Sequence, residues 1–263
     1  MNPLLTTILH RPYVFAFLIA YLFLSIKRWG WKRSLLWLVS GYFIAWLSEY
    51  SSIHNGFPYG EYHYIYENLQ GELQVAGVPF FDSLSYPFLI FAGWTTAEFV
   101  LLPLLCKEGQ GEVDLPHLTS PYKGGAIIIL GAVLTMLLDV IIDPIATMGD
   151  KWFLGKIHFY AHPGWYFGIP MTNFAGWFLV PLAVIAFNIL TWRLFDSRLT
   201  THESRITFLY PLFYLSIALF NIAVTFWVGE WKLGIASSLI LTAITGVSML
   251  ASRSAPARQK TGS

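Results

Sequence analysis

Polar and apolar residues alternate in this chain on the scale of whole segments, with long apolar blocks broken by short polar stretches. Seven blocks stand out, at residues 12–26, 34–53, 80–105, 124–148, 171–194, 206–228 and 233–250. A helix of about 20 mostly apolar residues crosses the hydrocarbon of a bilayer, so each block reads as a transmembrane helix. The first is the shortest, but it ends in Lys27-Arg28 instead of a small-residue cleavage site and reads as a retained span, not a removable signal peptide. The expected fold class is all-α, a polytopic membrane bundle of seven transmembrane helices forming one domain over residues 1–250. Residues 251–263 are small, polar and basic and are expected to form a disordered tail.

The polar stretches carry two further signals. Twelve of the sixteen Lys and Arg residues fall in the segments between spans one and two, three and four, five and six, and after span seven. Basic residues mark the cytoplasmic side, which puts this multi-pass protein in the cell membrane with its C-terminus inside and its N-terminus outside. The two longest outer loops, 54–78 and 149–169, are rich in aromatics that suit a membrane interface. In the first, the run Glu61 to Val75 alternates around a turn containing Gly71, the pattern of a short β-hairpin or a re-entrant flap.

A weak internal repeat links these loops. Gly77-Val-Pro79 matches Gly168-Ile-Pro170 and Asp82 matches Asn173, both 91 residues apart, while Glu49 and Asp139 are 90 apart. The hairpins of spans two and three and of spans four and five then read as parallel copies about an axis along the membrane normal.

Composition agrees with the membrane reading and narrows the chemistry. Charged residues are 12% and hydrophobic ones 56%, against about 25% charged in soluble domains. A net charge of +1 offers no field for nucleic acid, and the single cysteine, Cys106, excludes an internal disulfide and a cysteine metal site. Five carboxylates nevertheless lie within or at the ends of spans: Glu49, Asp82, Glu98, Asp139 and Asp143. Each costs about 2.5–3.5 kcal/mol at a helix centre, so such groups face a cavity or a partner. Glu49, Asp82, Asp139 and Asp143 share the outer depth with Asn173, and Asp139 and Asp143, four apart, share one helix face. Apart from Arg193 at the inner end of the fifth block, no Lys or Arg lies inside a span to neutralise them. Carboxylates gathered in a low dielectric cannot all ionise, and a protonated acid beside an ionised one is an acid–base pair addressed to an apolar substrate.

Other chemistries find less support. His158 and His162 stand four apart and, with an aspartate, would make a zinc site of a membrane lipid hydrolase, although Pro163-Gly164 follows at once. The other five histidines are scattered. No phosphate loop, dinucleotide fingerprint or Gly-x-Ser-x-Gly elbow occurs, so no cofactor is expected. A proton-coupled carrier or lipid-binding scaffold is the reading in which the carboxylates do no chemistry.

The runs Ser48-Glu-Tyr-Ser-Ser-Ile-His-Asn-Gly-Phe-Pro-Tyr-Gly-Glu-Tyr-His-Tyr64, Gly77-Val-Pro79, Leu138-Asp-Val-Ile-Ile-Asp-Pro144, Gly149-Asp-Lys-Trp152 and Tyr166-Phe-Gly-Ile-Pro-Met-Thr-Asn-Phe-Ala-Gly-Trp177 resemble the integral-membrane carotenoid 1,2-hydratases. That family includes bisanhydrobacterioruberin hydratase and the γ-carotene hydratases. The resemblance covers roughly residues 40–180. Tyr86 departs from it, standing where a tryptophan is expected. The resemblance implies addition of water across the terminal C1–C2 double bond of an acyclic carotenoid end, with the carotenoid and the lipid bilayer as partners and other carotenoid-pathway enzymes as candidates. Under it, Asp139 is the first choice of proton donor and Glu49 the second. Asp143 or Asp82 would deprotonate a water positioned by Asn173, and Tyr59, Tyr62, Trp152 and Trp177 would face the cation, at about 0.5–2 kcal/mol per ring.

The orientation has a direct test. A fluorescent protein fused after Ser263 is expected to fluoresce, and alkaline phosphatase inserted near Lys156 to be active, as befits an inner C-terminus and an outer loop.

Overall fold

The computed structural model describes residues 2–105, 121–195 and 207–253. Cys106, Lys107, His117, Arg198, His202, Arg205 and residues 254–263 of the tail lie outside them. The described residues form helices α1 (Pro3–His10), α2 (Pro12–Asn55), α3 (Phe80–Leu105), α4 (Pro121–Thr147), α5 (Met171–Phe195), α6 (Leu209–Trp227) and α7 (Trp231–Arg253). The shortest of α3 to α7, α6 with 19 residues, rises about 29 Å, close to the hydrocarbon thickness of about 30 Å. The all-α membrane bundle is as the apolar blocks require.

Helix α2 holds the first two spans. Its 44 residues would rise about 66 Å if straight, twice the hydrocarbon thickness. Gly30, at φ 76° and ψ 167°, breaks it. The Tyr21 hydroxyl donates to the Ser34 carbonyl at 2.9 Å, across what would be about 20 Å of straight helix, so the two halves fold back on each other. A left-handed φ of this kind is open to glycine at little cost. Helix α3 runs through the middle of the bundle, with 83% of its most apolar window buried. Where it crosses α4 there is no room for side chains: a Cβ at Gly93 would sit 2.8 Å from the Gly131 carbonyl oxygen.

Helix α1 was absent from the apolar pattern, being too short to span. Its start is nonetheless written in Asn2-Pro3, where the Asn2 side chain accepts from the Leu4 N–H at 2.9 Å and Pro3 takes the first helical position. The Leu73 N–H donates to Thr7 Oγ1 at 2.8 Å, tying α1 to the first loop. Arg11, between α1 and α2, is buried; it grips Glu72 through two hydrogen bonds of 2.7 and 3.0 Å and also donates to the Leu154 carbonyl of the second loop.

The two loops meet over one end of the bundle. Strand β1 (Tyr62–Tyr64) pairs antiparallel with β4 (His158–Tyr160), placing Tyr62 opposite Tyr160 and Tyr64 opposite His158. The expected hairpin therefore lies elsewhere: β1 finds its partner in the other loop, and the local hairpin is β2 (Gln74–Val75) with β3 (Val78–Pro79), turning at Ala76-Gly77. The same turn recurs at Phe167-Gly168, where Tyr166 faces Ile169. Both turns have two consecutive positive φ values, 52° and 82° in the first and 47° and 86° in the second, the signature of a type I′ turn. A proline and then a helix follow each, so the motif that repeats in sequence repeats in backbone geometry.

At the opposite end, Arg28 Nη2 meets Glu98 Oε2 at 2.7 Å with both side chains buried. Glu98 thus has the cation that the span boundaries denied it, because the chain turns only at Gly30 and α2 carries Arg28 along the bundle. Removing one partner of a buried pair costs about 3–5 kcal/mol, whereas replacing both with apolar residues is often near neutral. Arg28→Ala is expected to lower the thermal unfolding midpoint in detergent sharply, and Arg28→Met with Glu98→Leu to recover most of the loss.

Candidate active site

Under the β1–β4 pair, four helix ends bring the predicted polar residues together. Glu49 comes from the end of α2, Asp82 from the first turn of α3, Asp139 and Asp143 from the last turns of α4, and Asn173 from the first turn of α5. Asn173 Nδ2 donates to Asp139 Oδ2 at 2.7 Å and to Asp143 Oδ2 at 3.1 Å. One amide thereby fixes two carboxylates that are a helical turn apart. The other oxygen of Asp139 has no hydrogen-bond partner among the described residues. Glu49 accepts from the Ser83 hydroxyl.

Strands β1 and β4 supply the remaining donors. Each buries its first and third residues and exposes its second, which is what a strand with one covered face does. The buried four, Tyr62, Tyr64, His158 and Tyr160, form a polar patch facing the helix ends. Tyr64 donates to Asp82 Oδ2 at 2.8 Å and Tyr160 to Asp143 Oδ2 at 2.6 Å. Tyr62 and Tyr64 hydroxyls are 3.3 Å apart, and His158 Nε2 lies 3.3 Å from Asp143 Oδ1. Burial, and after it the nearby carboxylate charges, hold the phenols of Tyr62, Tyr64 and Tyr160 well above their ordinary pKa, so they serve as donors. For His158, burial opposes the charged ring, but the hydrogen bond to Asp143 and the charges of Asp143 and Asp82 outweigh it and raise its pKa above 6.5.

A cavity of about 130 Å³ lies beneath the patch. Its polar walls are Asp82, Asp139, Asp143, His158, Ser85 and Asn221, and its apolar walls include Phe81, Phe88, Trp152 and Trp177. Asp82 is enclosed by protein yet keeps accessible surface, because it faces this space. Of the residues singled out from the sequence, Asp82, Asp139, Asp143, Trp152 and Trp177 line the cavity. Asn173 stands behind the two aspartates, and Glu49 is set back beside Ser83. Tyr62 sits in the patch above. Tyr59 is a layer further out, its hydroxyl 3.0 Å from Ser48 Oγ and its ring 6.2 Å from Trp177, while Tyr86 stacks on Trp177 at 4.2 Å.

Sequence reading missed Tyr64, Tyr160 and the role of His158. The available signal was the alternation in Tyr62-His-Tyr64 and His158-Phe-Tyr160, two strands each with inward-facing polar aromatics. The metal pairing of His158 with His162 does not form. In a strand and the bend after it they part, and the His162 side chain is exposed beside Glu61. Among the described residues no group of three or more His, Cys, Asp or Glu is placed to hold a metal ion.

Residues 9–247 match the family described as carotenoid biosynthesis protein. The chain belongs to this family. No curated protein and no solved structure matches it. The family match takes in every residue of the cavity, from Tyr13 on α2 to Asn221 on α6. In this carotenoid biosynthesis protein the polar groups and the apolar walls thus belong to the matched region as one unit.

The raised pKa of His158 has a signed consequence. Its charged form contributes stability that is fully present below the ordinary value of 6.5 and is lost as the pH rises through the higher folded-state value. The thermal unfolding midpoint of the purified protein is expected to fall over that interval, and the fall to disappear in His158→Gln.

Proposed function

We propose that this carotenoid biosynthesis protein is a hydratase that adds water across the terminal C1–C2 double bond of an acyclic carotenoid end. The observation that carries the reading is a small cavity with aromatic walls whose polar groups include three carboxylates and an imidazole. Pockets for whole drug-sized ligands run from about 300 Å³ upward, so a cavity of about 130 Å³ admits the tip of a polyene and leaves the rest outside. The half-buried Tyr13 and Phe17 of α2 and Phe220 of α6 line its lipid-facing side, and the polyene reaches it from the bilayer. By the distribution of basic residues, the strand-bearing end faces outward in the cell membrane.

Asp139 is the proton donor. It lines the cavity with one oxygen occupied by Asn173 and the other free to hold a proton toward the alkene. Protonation at C2 forms the C2–H bond and leaves a tertiary cation at C1. Water adds its oxygen to C1, and a carboxylate takes the proton that the water loses. Asp82 suits this step, with one donor on it and surface facing the cavity; Asp143 already accepts from three groups. Transfer of that proton back to Asp139 through water restores the site, so one water is consumed and no net proton. Asn173 sets the spacing of the two aspartates. Trp152 and Trp177 face the cation, each ring contributing about 0.5–2 kcal/mol. Glu49 polarises the site from behind and holds Ser83.

Expression in a host that makes lycopene or γ-carotene is expected to yield pigments heavier by one water. Asp139→Asn should lower their formation by about 10²-fold or more, the usual contribution of a positioned acid. An unchanged pigment profile with well-inserted wild-type protein, in hosts making either carotenoid, would refute the hydratase.

A further inference from the structure

Hydration consumes one water per turnover, yet the cavity is walled by aromatic rings on its lipid side and roofed by the polar patch. A second hollow, of about 420 Å³, lies on the other side of that roof, lined by Ile53, His54, His63, Tyr64, Tyr66 and Gly77. Tyr64 belongs to both compartments: it lines the outer hollow, and its hydroxyl is bonded to Asp82, which lines the inner cavity. We infer that the Tyr64–Asp82 pair is the passage by which water and its protons move between the aqueous hollow and the site, so that water and polyene arrive from opposite sides. This rests on the hydratase reading and adds to it a positioning residue and a direction of supply.

The geometry is that of a short relay. The pair exchanges protons with the hollow: a proton on Asp82 passes to the Tyr64 oxygen as the Tyr64 hydroxyl proton leaves toward the hollow or toward Tyr62, whose hydroxyl is 3.3 Å away. A proton taken up by the reverse path replaces it and returns through water to Asp139, so no net proton is consumed. Rotation of the hydroxyl restores the starting bond, and the O–H bonds formed and broken balance. The hollow is polar enough to hold water, with His54 and His63 in its wall; the imidazole of His63 lies 3.5 Å from Glu61. Arg11, whose charge reaches Asp82 along with that of His158, is occupied by Glu72 and leaves Asp82 to Tyr64. The two ring-bearing strands thereby do more than cover the carboxylates.

Two measurements test the passage. In a kinetic assay with a polyene, Tyr64→Phe keeps the ring and removes the hydroxyl. It is expected to lower kcat by about tenfold or more with KM unchanged, and to enlarge the solvent deuterium isotope effect, which loss of packing alone would not do. The second readout needs no activity: in a Cys106→Ser background carrying Ser85→Cys, a small charged thiol reagent applied to the strand-bearing side should label several times faster when Tyr64→Ala is added, and not when Tyr59→Ala is added. An active wild type with unchanged kcat and isotope effect in Tyr64→Phe, or labelling indifferent to Tyr64→Ala, would overturn the passage. Wild-type protein that hydrates no acyclic carotenoid would instead overturn the functional reading, and the labelling would still report on the water route.

Discussion

A carboxylate withdrawn from water must be given hydrogen-bond donors or a countercharge, and the long-range polar contacts that shape the site and its loops answer that demand. Glu98 takes Arg28, Glu49 takes Ser83, Asp82 takes Tyr64, and Asp139 and Asp143 share Asn173. The helices alone cannot meet it, since their inward faces at this end offer few donors. The loops supply them, which is why two long segments fold down over the bundle as a strand pair. Glu72 and Arg11 then hold those loops to the start of α2 and to the Leu154 carbonyl.

The same demand explains how an apolar scaffold comes to hold a reactive space. Ion pairing at Glu98 neutralises that group and leaves it structural. The cluster at the strand-bearing end is met mainly with neutral donors, phenols and an amide, beside the single imidazole of His158 on Asp143, which orient carboxylates without cancelling their capacity to exchange protons. Aromatic rings on the remaining sides exclude bulk water and present π faces to whatever enters. Under the proposed function, acid–base groups beside a ring-lined space suit an alkene that has no polar handle of its own.

Much of this was legible along the chain. Segment-scale apolar blocks determine where helices cross, because a bilayer admits few other structures. The Asp-x-x-x-Asp spacing puts Asp139 and Asp143 on one face without further information. The Gly-aliphatic-Pro repeats mark the two turns that feed α3 and α5, and the backbone angles make them type I′. What escaped was the partner of each group. Charge marks connecting segments, which places Arg28 outside the spans, yet the turn lies at Gly30 and the helix carries Arg28 onto Glu98. Tyr62 to Tyr64 looked like half of a local hairpin because alternation shows that a strand has a covered face, not which strand lies beside it.

The chain by itself therefore determined the class of protein, the apolar blocks that become helices and the gathering of four carboxylates and an amide at one depth, all of which follow from hydrophobicity and helical periodicity. The tertiary structure alone decided that β1 pairs with β4 across the 93 residues between them, that His158 joins Asp143 and parts from His162, and that Glu49 and Tyr59 stand back from the cavity. Depth in a membrane is a property of each segment, whereas pairing is a property of two segments far apart in the chain, and only packing brings them into contact.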